Sequence, residues 1–111
     1  MEQYKIVYVD FSPTIGSEID KIRPAVIVSP NEMNKYLKTV VVCPITHTDK
    51  NANKNYPTRI AIKQGKIDGF ICIDQIRTVS KIRVQDSSKY DHLNPLQITI
   101  LKAKIKETFV D

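Results

Sequence analysis

Arg23-Pro24-Ala25-Val26-Ile27-Val28-Ser29 is an unbroken apolar, β-branched run, and more than any other segment it limits what this chain can become. Branching at Cβ restricts χ1 and suits a pleated, packed surface, so the run reads as a buried strand. Ahead of it lies a polar stretch broken by Pro13 and Gly16, which reads as a long loop. That loop carries Asp10, Ser17, Glu18 and Asp20 toward the strand start, where Arg23 stands. A fixed cation beside carboxylates at the edge of a rigid strand suits phosphoryl chemistry. An ordinary surface ion pair has the same appearance, and the local pattern leaves both readings open.

The rest of the chain supplies more strands and one long helix. Tyr4 to Phe11 is β-rich and reads as the first strand. After the Arg23 to Ser29 strand, Asn31 to Leu37 suggests a short helical turn. Lys38 to Ile45 reads as a third strand, and its Pro44, which has no ladder donor, implies a strand end, a bulge or an edge. Thr46 and His47 open a polar loop running to Pro57, with the composition of a surface segment. Thr58 to Lys63 and Phe70 to Asp74 read as two strands joined around Gly65 to Gly69, and Ile76 to Val84 as a further strand or bent continuation. Asn94-Pro95 is a helix start, with a good N-cap and proline at the first helical position. Beyond it Leu96, Ile100 and Ala103, together with Ile98, Leu101, Ile105 and Phe109, predict a wide apolar face opposed by Lys102, Lys106 and Glu107. Many short strands and one terminal helix predict a compact, mostly antiparallel barrel, with residues 1–111 as a single domain.

Seventeen Lys and Arg against twelve Asp and Glu give +5, which favours an acidic partner such as nucleic acid. There is no long apolar run and no signal peptide, so a cytoplasmic protein without a membrane partner is expected. Cys43 and Cys72 both sit in apolar runs and read as buried thiols rather than a disulfide. With no CxxC and no His/Cys cluster, neither a metal site nor a cofactor is expected.

Five segments in order are similar to the MazF/PemK family of toxin endoribonucleases: DFSPTIGSE with RPAVIVSP, VVCPIT, YPTRI, GFICIDQIRTV and the terminal ILKAKI. The resemblance covers nearly the whole chain. It implies a mostly β, SH3-like small barrel of the MazF/CcdB type with a C-terminal helix, working as a homodimer. It implies sequence-specific, metal-independent cleavage of single-stranded RNA, and neutralisation by a MazE-like antitoxin with an acidic tail. Such cleavage proceeds by attack of the 2′-hydroxyl on the adjacent phosphorus, leaving a 2′,3′-cyclic phosphate and a 5′-hydroxyl. It needs a base, charge stabilisation at phosphorus and an acid for the leaving oxygen.

By this resemblance Arg23 and Thr46 are catalytic. A guanidinium is permanently charged and binds phosphate in bidentate fashion, but shuttles protons poorly. Thr46, at the end of VVCPIT, is suited to donating a hydrogen bond to phosphate. Proton transfer then falls to Glu18 or Asp74, with Glu18 preferred. Asp10, Phe11, Ser17, Tyr56, Gln75, Arg77 and Thr78 are the expected RNA contacts, with Lys50, Lys54 and Arg59 tracking the backbone. Some relatives carry histidine where this chain has Ser17. His47, a ready base beside Thr46, is set aside because strand alternation turns it away and the family places no catalytic histidine there. Many relatives also have Gly-Asp before the first strand, where this chain has Gln3-Tyr4-Lys5. Two other readings remain: a CcdB-like gyrase poison, disfavoured by the absence of tryptophan near the C-terminus, and a non-catalytic nucleic-acid-binding SH3-like module.

Overall fold

In the computed structural model, which describes residues 1–13, 21–47, 57–86 and 92–110, the chain forms a strongly bent antiparallel sheet with one long helix packed on it. The strands are β1 (Ile6–Asp10), β2 (Ile22–Ile27), β3 (Thr39–His47), β4 (Arg59–Gln64), β5 (Ile67–Cys72), β6 (Arg77–Ser80) and β7 (Val84–Gln85). The helices are α1 (Asn31–Tyr36) and α2 (Pro95–Phe109). Their order in the sheet is β4-β5-β3-β2-β1-β7, with β6 also paired to β3. A 3₁₀ turn, Lys81–Arg83, carries the chain from β6 on one edge of the β3-β2-β1 unit to β7 on the other. The chain itself, rather than a closed ladder of hydrogen bonds, thus joins the two edges into a small barrel-like fold. This is the mostly β architecture with a C-terminal helix expected from the sequence.

Period-2 alternation sorts the strand side chains into two cores. Val7, Val9, Ala25, Ile27, Val40, Val42 and Val79 pack inside the curled sheet. Ile6, Val26, Cys43, Ile45, Ile62, Ile67 and Ile71 face the other way, where Leu93 and Leu101 cover them. Both faces of β1, β2 and β3 are therefore buried, which is why these segments read as near-continuous apolar runs rather than as alternating ones.

Two prolines interrupt the ladders. Val28 N–H donates to Val41 C=O at 2.9 Å and Lys81 N–H to Lys38 C=O at 2.9 Å. These bonds point the polar groups of odd-numbered β3 residues at β2 and those of even-numbered ones at β5 and β6. Pro44 therefore lacks its donor on the β5–β6 side, and there the partner strand breaks. Val42 pairs with Arg77 but Ile45 with Ile71, and the excess on the partner side is the 3₁₀ turn Ile73–Gln75. On the opposite edge the β2–β3 register ends at Ala25 with Pro44, because the next β2 residue, Pro24, has no N–H to give. Beyond that point β2 and β3 part.

Several expectations need correction. The third strand does not end at Ile45 but runs on to His47, so of the three readings of Pro44 the interrupted ladder holds and the strand end does not. Gly69 belongs to β5 and not to a loop. The β4–β5 turn is Gly65-Lys66, with Gly65 at φ 59° in the first central position of a type II′ hairpin turn. Asp74 lies in a 3₁₀ turn rather than a strand, and Ile76 to Val84 is divided between β6, the turn and β7. Helix α2 begins where its cap predicts, Asn94 and Gln97 forming a reciprocal capping box at 2.8 Å each. Its buried stripe is narrower than the sequence suggests: Ile98, Leu101 and Ile105 face the core, while Leu96, Ile100 and Phe109 are exposed.

Candidate active site at the mouth of the barrel

The interior rows of four strands end at the same mouth of the barrel. On β1 the row Val7, Val9 continues to Phe11, and on β2 Ile27, Ala25 continues to Arg23. On β3 the row Val40, Val42 runs past Pro44 to Thr46, and on β6 Val79 continues to Arg77. The antiparallel order brings the four ends together, so the alternation that builds the core also places its last members in solvent beside one another. Phe11, Lys21, Arg23, Pro44, Ile45, Thr46, Gln75 and Arg77 line a cleft of about 220 Å³ there. A second cleft of about 320 Å³ shares Arg23 and Thr46 and extends toward Tyr8, His47, Lys66 and Asp68.

Arg23 is exposed and bound into β2 opposite Val9. The Arg77 guanidinium lies over the Phe11 ring, 5.1 Å from its centre, so the cleft wall has both an aromatic face and a cation. Thr46 is half-buried and pairs with Phe70. The Cys72 thiol is directed at its hydroxyl at 3.8 Å, and the neighbouring strand presses on its carbonyl. A methyl group built on Gly69 would stand 1.6 Å from that oxygen, so only glycine lets β5 approach this closely. Lys21, Arg23 and Arg77 put three cations around the smaller cleft, and its described lining holds no carboxylate. The arrangement suits an anion, with a hydroxyl and an amide at hand to donate.

Of the expected site residues, Phe11, Arg23, Thr46, Gln75 and Arg77 are brought together. Thr78, one position on, lines an adjoining cleft with Asp10, Phe11, Ser12 and Arg83. Asp10 is only 5% exposed and accepts from the Ser12 N–H at 2.9 Å and from the Ser12 hydroxyl, which ties it into the turn after β1. Asp74 is not among the residues lining these clefts. Its carboxylate accepts from Thr58 Oγ1 at 3.1 Å and lies 3.5 Å from Arg59 Nε. Ser17, Glu18, Tyr56, Lys50 and Lys54 lie outside the described residues. Sequence reasoning passed over Lys21, Lys66 and Asp68, which carry no local signal, and set aside His47, which is exposed and lines the larger cleft. His92 pairs with Glu2 at 2.5 Å, far from the mouth in register, beside the bridge to Lys5.

Comparison with known proteins agrees with this picture. Residues 2–109 match the family described as PemK-like, MazF-like toxin of type II toxin-antitoxin system. The endoribonuclease MazF of Staphylococcus saprophyticus is 36% identical over 94 residues, covering 81% of this chain and 77% of that protein. The endoribonuclease toxin MazF of Escherichia coli K12 is 31% identical over 100 residues, covering 90% and 86%. Among solved structures, MazE-MazF from Deinococcus radiodurans superposes with a TM-score of 0.74 at 18% identity, covering 99% of this chain and 95% of the other. A mycobacterial endoribonuclease in complex with its cognate antitoxin gives 0.73 at 20%, covering 96% and 92%. The fold is shared with those structures, and by sequence the chain belongs to the PemK-like, MazF-like toxins of type II toxin–antitoxin systems.

Proposed function

We propose that this chain is an endoribonuclease toxin that cuts single-stranded RNA in the cleft at the barrel mouth. One observation carries the reading: three cations and the Thr46 hydroxyl converge on a cleft whose described lining holds no carboxylate, in a chain whose relatives are named endoribonucleases. Arg23 holds the scissile phosphate and takes up the charge that grows on its non-bridging oxygens. Thr46 donates a hydrogen bond to the same phosphate. The 2′-hydroxyl attacks phosphorus, the 5′-oxygen leaves, and a 2′,3′-cyclic phosphate remains. Of the two carboxylates considered for proton transfer, Glu18 is preferred, since Asp74 is engaged with Thr58 and Arg59. Gln75, Arg77 and Phe11 hold the flanking nucleotides by hydrogen bonding, charge and stacking, with Thr78, Ser17 and Tyr56 as further contacts. Asp10 shapes the turn that leads into the loop.

The reaction uses no metal ion. An antitoxin of the MazE kind neutralises the toxin by laying an acidic segment along the same cations, and the active form is a cytoplasmic homodimer.

The test is a mixed-sequence single-stranded RNA and its DNA counterpart, incubated in EDTA with wild type and with Arg23→Ala. Cleavage of RNA alone, with cyclic phosphate ends, lost in the variant, is the expected result. Cleavage abolished by EDTA, or persisting in Arg23→Ala, would sink the mechanism, and intact RNA with wild type would favour a gyrase poison or a binding module.

A further inference from the structure

We propose that Arg83 is a positioning residue for the RNA cleft, holding the end of β1 in place without itself touching RNA. Its Nη1 donates to the carbonyl oxygens of Asp10 at 3.1 Å and Ser12 at 2.6 Å, and its Nη2 to that of Pro13 at 3.4 Å. Three backbone acceptors from one short segment thus converge on one guanidinium. The segment is the stem of the β1–β2 loop, fastened on its other side by Phe11 N–H donating to Lys21 C=O at 3.0 Å. Phe11 lies within this stem and forms the aromatic wall on which Arg77 rests. The guanidinium comes from the 3₁₀ turn that joins the barrel edges, and β7 next to it pairs with β1 through Val9 and Val84. A turn remote in sequence therefore fixes where the Phe11 wall stands relative to Arg23 and Thr46.

Charge alone does not require this arrangement. A guanidinium kept for phosphate would hold its fork open to the cleft, whereas here both terminal nitrogens are engaged with carbonyls. The inference rests on the proposed RNA-binding reading of the cleft, and the experiment separates failure of one from failure of the other.

The probe is a fluorescent single-stranded RNA of mixed sequence, 2′-O-methylated throughout so that it has no nucleophile. Its affinity for wild type, Arg83→Gln, Arg83→Lys and Lys81→Gln is measured by anisotropy across a salt series. Arg83→Gln should weaken binding about tenfold, the order expected for losing a charged hydrogen-bond cluster, with an unchanged dependence on log salt. Arg83→Lys should recover part of that loss, and Lys81→Gln, which removes a like charge from the same turn, should stay within about twofold of wild type. Hydrogen exchange should quicken at Phe11 and Ser12 in Arg83→Gln while the amides of β3 stay protected. A salt slope shallower by about one in Arg83→Gln would mean that Arg83 contacts a phosphate directly, and would overturn the inference. So would unaltered affinity and exchange. If Arg83→Gln does not fold, Arg83→Lys decides by the same two readouts. Absence of any wild-type binding would instead remove the RNA reading itself, leaving the exchange data to report on the clamp.

Discussion

At the scale of the residue, the proposed mechanism places its largest chemical demand on Arg23. Arg23→Ala should slow RNA cleavage about 10²- to 10³-fold, as loss of a preorganised charge-stabilising donor does, and single-turnover rates would show it. Arg23→Lys keeps the charge but loses the planar fork, so it should recover only part of the rate. Cys43 offers a different handle. Burial first, then the neighbouring Cys72 and Asp74, push its thiol from 9.0 up to about 12. The unfolded chain ionises this thiol at lower pH than the folded one. Its neutral form therefore supports the fold fully below pH ~9, and that support is lost as pH climbs toward ~12. Urea titrations at pH ~8 and ~10.5 should show wild type losing more stability than Cys43→Ala between the two; equal losses would rule the linkage out. Arg23 and Thr46 were singled out by the family resemblance, since the local pattern left Arg23 open between a phosphate site and an ion pair and marked Thr46 only as the end of an apolar run. Lys21, Lys66 and Asp68 were not, since an exposed charge acquires meaning only from the strand that folds up beside it.

Among the elements, the pairing of β3 with β5 is the most exacting. Gly69 has no room for a β-carbon against the Thr46 carbonyl. Gly69→Ala should cost about 1–3 kcal/mol through overpacking and displace Thr46, lowering both melting temperature and cleavage. Gly65→Ala strains only the hairpin turn at φ 59°, so it should cost about 1 kcal/mol and leave the cleavage rate alone. Comparing the two variants separates a turn defect from a site defect. Strands and helix α2 could be placed from β-branched runs and the Asn94-Pro95 cap, because those signals are local. The register shift opposite Pro44 could not. It depends on Ile73–Gln75 being inserted from a distant segment, and proline announces an interruption without saying which partner accommodates it. The helix face was overdrawn for a related reason: Leu96 and Ile100 repeat at helical spacing, but on the side of the helix opposite Ile98, Leu101 and Ile105 and so away from the sheet.

For the whole molecule, the relevant quantity is the field at the barrel mouth. Three phosphates neutralised by Lys21, Arg23 and Arg77 predict that log affinity for single-stranded RNA falls against log salt with a slope of about −2. Arg77→Gln should lessen that slope by about one unit or slightly less, and no change would mean that its guanidinium serves only the Phe11 ring. An antitoxin that uses the same cations must compete with RNA, so a stable ternary complex detected by sedimentation would refute shared occupancy. The mouth itself is assembled from both halves of the chain. Arg23 and Thr46 belong to the first half, but β6, the Arg83 clamp and β7 come from the second, and β7 has to find β1 across most of the chain. Long-range closures of this kind form late, because chain entropy opposes them until the rest is in place. A ribosome translating this message thus exposes the reactive side chains well before it releases anything that can use them. On the proposed reading, a nascent chain gains an RNA-cutting mouth only once β6 and β7 have joined it.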